Sequence, residues 1–522
     1  MRRLTKKDVE AILARRFAEG FLKLSSLPQP QSLKDITKAA QRIKRAVDGR
    51  ERIAIVGDYD VDGVVSTALM EEFFDYLGYP VTTIIPNRFK HGYGLSPKVI
   101  EELGDVDLII TVDNGISALQ AARLCQERGI DLIITDHHTP GAELPQAYAI
   151  VNPKQQGCGF EYSEICGAQV AWFLIGELKR VFGLDLDMRA FLDLLVLAII
   201  ADVMPLRHIN RPLVQAGLKA FGQSQRPAIR YLRAVLKKEA ISSEDVGFGV
   251  APLLNSAGRM EDASLALEFL RAPDFMSAQI LHERLSLLNA RRKAQERKVF
   301  EEALAFVKDD DPIILCAGDD WSEGVVGIVA ARLTDRFKKP SIVLTKSKDL
   351  LKGSGRSLGD VDLFALLQES SHFLEGFGGH KKAAGLSLYP KNLPLFRRSI
   401  QEAASQIPKE AFLDDEGVLG ELPLSEVDWE LMEILERFAP YGESNPSPKF
   451  AARSVEVLEW RMVGQKEEHL LMTLREGNKI FKGIWFRSPL EPAKNFVDIV
   501  YQPIKNIYRN EINIQLYISK IV

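Results

Sequence analysis

Four cysteines in 522 residues are too few and too scattered for a disulfide framework. Cys125, Cys158, Cys166 and Cys316 show no Cys-x-x-Cys spacing, which argues against a cysteine zinc site and for free thiols in a reducing compartment. No apolar run approaches the ~20 residues that a membrane span needs. The most apolar stretch, Phe191 to Ala201, is short and is broken by Asp193. The N-terminus, Met-Arg-Arg-Leu-Thr-Lys-Lys-Asp, lacks an apolar signal core. There is no excess of positive charge: at a net −4, any contact with nucleic acid must come from local basic patches. Repeats and low-complexity tracts are absent too. The expectation is a cytoplasmic, membrane-free globular chain, long enough for roughly three domains of ~150 residues.

What is present centres on Arg52-Ile-Ala-Ile-Val-Gly-Asp-Tyr-Asp-Val-Asp-Gly63. A short apolar run ends in Asp58, Asp60 and Asp62, and a helical pattern is expected from Val64. So much negative charge at a strand end is costly unless cations neutralise it. Strand-like runs recur at Ile53–Val56, Val81–Pro86, Leu108–Val112, Leu132–Thr135 and Ala149–Val151, with helical stretches such as Val64–Leu77 and Ala118–Arg128 between them. This alternation predicts an α/β fold with a parallel sheet, in which ligands bind beyond the carboxyl ends of the strands. The residues after successive runs are Asp58 and Asp60, then Asn87 and Arg88, then Asp113-Asn114-Gly115, then Asp136-His137-His138. A buried helix, Ala190–Ala201, delivers Asp202.

Alone, Asp-x-Asp-x-Asp is equally a turn or a calcium-like loop. Clusters after several strands favour a cage of Asp58, Asp60, Asp113, His137 and Asp202 around two divalent cations. The mixed carboxylate and imidazole donors suit manganese-like ions better than calcium. Two such ions stabilise an in-line phosphoryl displacement. Of the paired histidines, His137 is expected to reach the metal and His138 the substrate phosphate, with Asp136 orienting them.

Further along, residues 276–308 form a long charged helical pattern with a basic cluster at Arg291, Arg292, Lys293, Arg297 and Lys298, as expected of a helix joining two domains. A second α/β segment starts near Pro312 and carries Gly353-Ser-Gly-Arg356-Ser and Gly376-Phe-Gly-Gly-His380. Glycines there let backbone approach a ligand, with Arg356 and His380 placed for an anion; tight turns are the alternative. Five short strand patterns from about 415 to 522 predict a small barrel of the OB type. Its interleaved Trp460, Arg461, Lys482, Trp485, Phe486, Arg487, Tyr501, Tyr508 and Arg509 suit base stacking above a phosphate-tracking groove, or serve as core. The expected division is a helical segment at 1–50, a catalytic domain at 51–275, a connecting helix at 276–310, a second α/β domain at 311–410 and the barrel at 411–522.

Four stretches together resemble the metal motifs of the DHH phosphoesterase superfamily: Gly-Asp58-Tyr-Asp60-Val-Asp62-Gly, Val-Asp113-Asn-Gly-Ile-Ser, Thr-Asp136-His137-His138-Thr-Pro-Gly and Ala-Asp202-Val-Met-Pro-Leu. Asn255-Ser-Ala-Gly-Arg259, Gly378-Gly379-His380-Lys-Lys-Ala-Ala-Gly and Pro440-Tyr-Gly-Glu-Ser-Asn-Pro are similar to the further motif, the DHHA1 domain and the OB domain of the RecJ branch. The resemblance implies a metal-dependent, single-strand-specific 5′-to-3′ DNA exonuclease of recombination and repair, using two Mn2+ or Mg2+ ions. It implies metal ligands at Asp58, Asp60, Asp113, His137 and Asp202, with His138 and Arg259 at the reacting phosphate and His380, also catalytic, facing the metal centre across the cleft. Arg88, Asn255, Ser354, Arg356 and Gly379 would bind the nucleic acid, and Asp62 would have a turn or supporting role. The partners it implies are single-stranded DNA with a 5′ end, a single-strand-binding protein and a helicase, for a monomer. One departure is Val56, where many members carry a histidine two residues before the first motif acid. Two other readings stay open: a DHH phosphodiesterase for short oligoribonucleotides or cyclic dinucleotides, and a non-catalytic single-strand-binding replication scaffold.

Overall fold

A computed structural model of the chain describes residues 1–88, 90–238, 240–413, 417–464, 467–488, 495–508 and 511–521. After helices α1 (Lys6–Ala14) and α2 (Ile36–Asp48), the chain enters a parallel sheet. The sheet is built from β1 (Ile53–Val56), β2 (Thr82–Ile84), β3 (Leu108–Val112), β4 (Asp131–Thr135) and β5 (Ala149–Val151), in the order β2-β1-β3-β4-β5. All four pairings are parallel, so the carboxyl ends share one edge. Between strands run α3 (Val61–Tyr76), α4 (Pro97–Leu103) and α5 (Leu119–Glu127). Side-chain alternation along β1 sends Ile53 and Ile55 to the layer of α2 and α3, and Ala54 and Val56 to the layer of α4 and α5.

Helix α3 begins three residues earlier than the sequence pattern suggests. The Asp60 carboxylate caps it, accepting the Gly63 N–H at 3.1 Å, so Asp62 and Gly63 lie in its first turn. Only glycine fits at 63, because a Cβ there would sit 2.5 Å from the backbone of Asp58. Next come α6 (Gly167–Phe182), the apolar α7 (Leu192–Ala201), α8 (Asn210–Gln223) and α9 (Pro227–Leu236). A π-helical turn (Asp245–Val250) then runs straight into α10 (Ala251–Met260), followed by α11 (Ser264–Leu270).

Helix α12 (Phe275–Ala303), of 29 residues, is about 43 Å long. Its first half buries Ala278, Leu285 and Leu288 in the catalytic core, and its last turns bury Val299, Phe300 and Ala303 in the next domain. It therefore joins the two. One member of its basic cluster is not solvated: Arg292 is buried, donating to Asn289 and to Glu296, which also accepts from Arg332 of the second domain.

That second domain has β6 (Ile314–Gly318), α13 (Val326–Phe337), β7 (Ser341–Ser347), β8 (Leu350–Arg356), α14 (Leu363–Glu369), β9 (Gly376–Gly379), β10 (Ala383–Leu388) and α15 (Leu393–Ser405). Its strand order is β6-β7-β8-β10-β9, parallel only between β6 and β7. Much of the glycine-rich stretch from 353 to 385 is thus strand, not tight turn.

The C-terminal part opens with β11 (Val418–Glu421), a strand the sequence pattern did not suggest, and α16 (Trp429–Phe438). Then β12 (Lys449–Val463), β13 (His469–Glu476), β14 (Lys479–Trp485), β15 (Phe496–Tyr508) and β16 (Glu511–Ile521) form a sheet that pairing of β12 with β15 closes into a barrel. Arg509 and the side chain of Tyr508 lie outside the described residues. Tyr501 is core, with its hydroxyl donating to the Leu422 carbonyl, whereas Trp460 and Phe486 are exposed.

Residues 1–50 do not pack as one unit. Helix α2 buries Ile36, Ala39 and Ile43 in the catalytic core, while Leu4, Val9, Leu13 and Phe17 belong to the barrel's core. The Leu4 N–H donates to the Glu421 carbonyl at 2.7 Å, and Glu421 N–H donates back to Arg2 at 2.9 Å. Replacing the fully buried Leu13 with alanine should cost about 2–5 kcal/mol. Urea unfolding followed by tryptophan fluorescence would show the barrel's transition moving to lower urea, and an unshifted transition would contradict this assignment of α1.

Candidate metal centre and interdomain cleft

Each acidic residue at the carboxyl edge is held there by a different local device. Asp58 follows β1 through Gly57 and is buried, with Oδ1 lacking any hydrogen-bond partner. Asp60 caps α3. Asp113 follows β3 in the left-handed region, at φ +62°, a strained conformation for a non-glycine residue. Asp202 ends α7, its N–H still donating to Ala198. Into this group His137 projects its Nε2, 3.2 Å from Asp113 Oδ1, 3.6 Å from Asp202 Oδ2 and 3.7 Å from Asp62 Oδ2.

The donor atoms of Asp58, Asp60 and Asp113 lie within 4.8 Å of one another, as do those of Asp62, His137 and Asp202, and those of Asp113, His137 and His138. Burial first, and then mutual repulsion, holds the carboxyls of Asp58, Asp113 and Asp202 well above the usual carboxylate range. Burial pulls His137 down to about 4, so its imidazole is neutral at pH 7 and offers lone pairs. Asp58 Oδ1, Asp113 Oδ1, Asp202 Oδ2 and both ring nitrogens of His137 are buried without a hydrogen-bond partner. Buried polar atoms are seldom left so. Divalent cations such as Mn2+ or Mg2+ fit this donor set: they would neutralise the charge and complete the unmet bonds.

Supporting groups fix the cage. Asp62 accepts the N–H groups of Gly167 and Ala168 at 2.6 and 2.8 Å, anchoring the start of α6 beneath His137. Asp136 accepts the His137 N–H at 2.7 Å, the His138 N–H at 3.0 Å, His138 Nδ1 at 2.7 Å and the Ile116 N–H at 2.9 Å. Burial opposes charge on His138, but the bond to Asp136 prevails and raises it above its ordinary value.

Three supports went unnoticed in the sequence. The Asn114 amide donates to the carbonyls of Val56, Gly57 and Val112, tying β1 to β3. Its place directly after Asp113 was the available signal. Gly167 has to be glycine, because a Cβ there would collide with Asp113 Oδ1; nothing in the sequence marks it. Tyr93, between the positive-φ Gly92 and Gly94, brings its hydroxyl 3.4 Å from the His138 ring nitrogens. Val56 is fully buried in the apolar layer with Ile109 and Ile134.

Across from the cage, a cleft of about 630 Å³ opens between the two α/β domains, lined by Tyr59, Arg88, Tyr93, Arg259, Ser354 and Arg356 among others. The Arg88 guanidinium lies over the Tyr59 ring at 4.3 Å. Arg356 Nη1 donates to Ser354 Oγ at 2.7 Å, and Arg259 Nη1 donates to the Gly324 carbonyl at 3.2 Å. Burial, then the charges of Arg88, Arg292 and Arg356, pull the Arg259 guanidinium down to about 10. Three cations crowded at one opening attract an anion.

The remaining candidates sit elsewhere. Asn255 accepts the Val61 N–H at 3.2 Å and so fastens α3. Gly379, at φ +143°, ends β9 where a Cβ would strike the Ala383 carbonyl, so the hairpin needs glycine there. His380 is exposed at the β9–β10 turn, and among the described residues its side chain makes no hydrogen bond or ion pair.

A parallel sheet with an acidic, histidine-bearing cage at its carboxyl edge, facing a second α/β domain across an arginine-lined cleft, is the architecture of a DHH-type phosphoesterase. Comparison with known proteins agrees. Residues 52–199 match the DHH family N-terminal domain, 310–406 the DHHA1 domain and 420–520 the RecJ OB domain. The chain is 34% identical over 519 residues to the single-stranded-DNA-specific exonuclease RecJ of Dickeya dadantii, covering 93% of this chain and 90% of that one. It is 36% identical over 460 residues to the RecJ of Bacillus subtilis, covering 85% of this chain but only 57% of that longer protein. The crystal structure of Thermus thermophilus RecJ in complex with Mn2+ superimposes with a TM-score of 0.83 at 28% identity, over all of this chain and 79% of that one. The chain belongs to the RecJ family.

Asp113→Asn removes one of the opposed carboxylates at nearly constant shape. At pH 7.5 the metal-free variant should melt about 2–4 °C higher than the metal-free parent. Manganese should no longer raise its melting temperature. A lower melting temperature without metal would mean that hydrogen bonds outweigh repulsion in holding Asp113.

Proposed function

We propose that this chain is a single-stranded-DNA-specific 5′-to-3′ exonuclease that releases 5′-mononucleotides, acting in recombination and repair. The observation that carries the reading is the set of buried, unpartnered donors of Asp58, Asp113, His137 and Asp202, opening onto a cleft lined by Arg88, Arg259 and Arg356. In this assignment Asp58, Asp60, Asp113, His137 and Asp202 hold two divalent cations. When bound, these supply Lewis-acid activation of the phosphodiester and of the attacking water.

The chain's own residues do the rest. Asp136 holds the His138 ring turned toward the substrate phosphate and favours its charged form. Arg259, poorly hydrated and crowded by like charges, gains most when a phosphate enters, and so favours charge developing beside it. Arg88, Ser354 and Arg356 receive a terminal 5′-phosphate, whose separation from the cage sets the length of the released product. Gly379 and His380, directly after the cleft-lining Gly378, are assigned to that substrate-binding wall, and Asn255, which fastens α3, to the support of the cage. The barrel guides the strand, and salt should weaken its binding steeply.

The same reading divides the chain into a catalytic domain at 51–275, a connecting helix at 276–310, a substrate-binding domain at 311–410 and an OB domain at 411–522. It takes the protein to be a cytoplasmic monomer served by a single-strand-binding protein and a helicase. Among the described residues no helix is long and apolar enough to cross a membrane.

With manganese and 5′-labelled substrates, labelled mononucleotide should appear from single strands and none from blunt duplex. Activity confined to dinucleotides would favour a short-oligonucleotide phosphodiesterase instead. Arg356→Ala should reduce the preference for a 5′-phosphorylated over a 5′-hydroxyl strand by about 10-fold or more, the worth of a charge-assisted hydrogen bond. An unchanged preference would place the 5′ pocket elsewhere.

A further inference from the structure

Arg88 reaches the cleft from the loop between β2 and α4, and a histidine closes the near limb of that loop. The Asn87 carbonyl accepts the N–H groups of Lys90 and His91, at 3.1 and 2.8 Å. In return, the Asn87 N–H donates to His91 Nδ1 at 3.1 Å. A backbone N–H can only donate, so Nδ1 carries no proton and the ring's proton sits on Nε2. Nε2 lies 2.9 Å from the Glu102 carboxylate of α4. The His91 side chain is only 7% exposed, so water is poorly placed to replace it as the acceptor.

The turn is tied outward as well. The Asn87 amide donates to the Glu261 carbonyl at 2.8 Å and to Asp262 Oδ2 at 3.3 Å. Glu261 directly follows α10, the helix that carries Arg259. Contacts running from Glu102 through His91 and Asn87 to Glu261 therefore set the backbone of Arg88 relative to that of Arg259. The far limb of the loop has its own anchor: the Leu95 N–H donates to Asn114 Oδ1 at 3.0 Å. Tyr93, beside His138, belongs to that limb. His91 thus acts on the limb that bears Arg88, away from the cage.

A long side chain binds phosphate well only when its stem is already ordered, because ordering it on binding costs affinity. The ring of Tyr59 steadies the Arg88 guanidinium, and the closed turn steadies its backbone. We propose that His91 is a positioning residue for recognition of the 5′ end: by accepting the Asn87 N–H, its Nδ1 holds Arg88 where the terminal phosphate arrives. The proposal rests on the exonuclease reading and deepens it, since His91 itself does not line the cleft.

The test compares 5′-phosphorylated with 5′-hydroxyl single strands on the manganese-loaded protein. Both rates come from one preparation, so their ratio is unaffected by any loss of folded enzyme. His91→Leu fills the space without an acceptor. It should lower the ratio of kcat/KM values, phosphorylated over hydroxyl, by about 3- to 10-fold, the worth of one hydrogen bond. The loss should lie mainly in KM for the phosphorylated strand. His91→Asn puts an amide oxygen close to the place of Nδ1 and should restore most of the ratio. Adding His91→Leu to Arg88→Ala should cause no further loss, because the two residues act as one unit. An unchanged ratio in His91→Leu would overturn the proposal, as would an equal loss in His91→Asn or additive losses in the double variant. A parent that cleaves single strands without preferring a 5′-phosphate would overturn it too. A parent that cleaves no single strand would overturn the exonuclease reading itself.

Discussion

Burial of Asp58, Asp113 and Asp202, together with repulsion from the neighbouring carboxylates of Asp60 and Asp62, is the constraint on which the rest of the structure depends. Without cations it opposes folding, since each carboxyl is held well above its ordinary range by burial and by its neighbours. The surrounding residues act to keep these groups together despite that cost. Asn114 ties two strand ends, Asp62 anchors a helix start under His137, and Asp136 satisfies four donors to fix the pair of histidines. Gly63 and Gly167 leave out the methyl groups that would push the cage open. A site prepared in this way takes divalent cations because they remove the opposition that its own construction created.

The second organising feature is the asymmetry about Arg259. On one side Arg88, Ser354 and Arg356 make a polar opening suited to a phosphate group; on the other Ile200, Val203 and Met204 line a more apolar hollow. Helix α12 sets the spacing of the two domains, gripped by a different core at each end, with the Glu296–Arg332 pair adding a cross-tie.

Much of the site was legible because a parallel sheet imposes a simple rule. Whatever follows the apolar runs arrives at one edge, so Asp58, Asp113 and His137 could be grouped from spacing alone. Helix α7 announced Asp202 in the same way, by being apolar all round. The parts that stayed hidden depend on contacts between residues distant in sequence or on backbone detail. The pairing of α1 with a barrel some 400 residues later leaves no local trace. Nor does the close approach of Gly167 to Asp113. The glycines from 353 to 385 suggested close approach to a ligand, with turns as the alternative, and their place in cross-paired strands was not legible. Helix α3 was placed late because Asp60 was read only as a ligand and not also as a cap. His380, grouped with the reacting residues by motif, is exposed at a hairpin turn.

On this reading the carboxyl edge of the first sheet is a cage for two ions. Anomalous scattering from crystals grown with manganese tests it most directly. The expected result is two manganese peaks enclosed by Asp58, Asp60, Asp113, His137 and Asp202. A single peak there, or manganese bound only outside this cage, would contradict it.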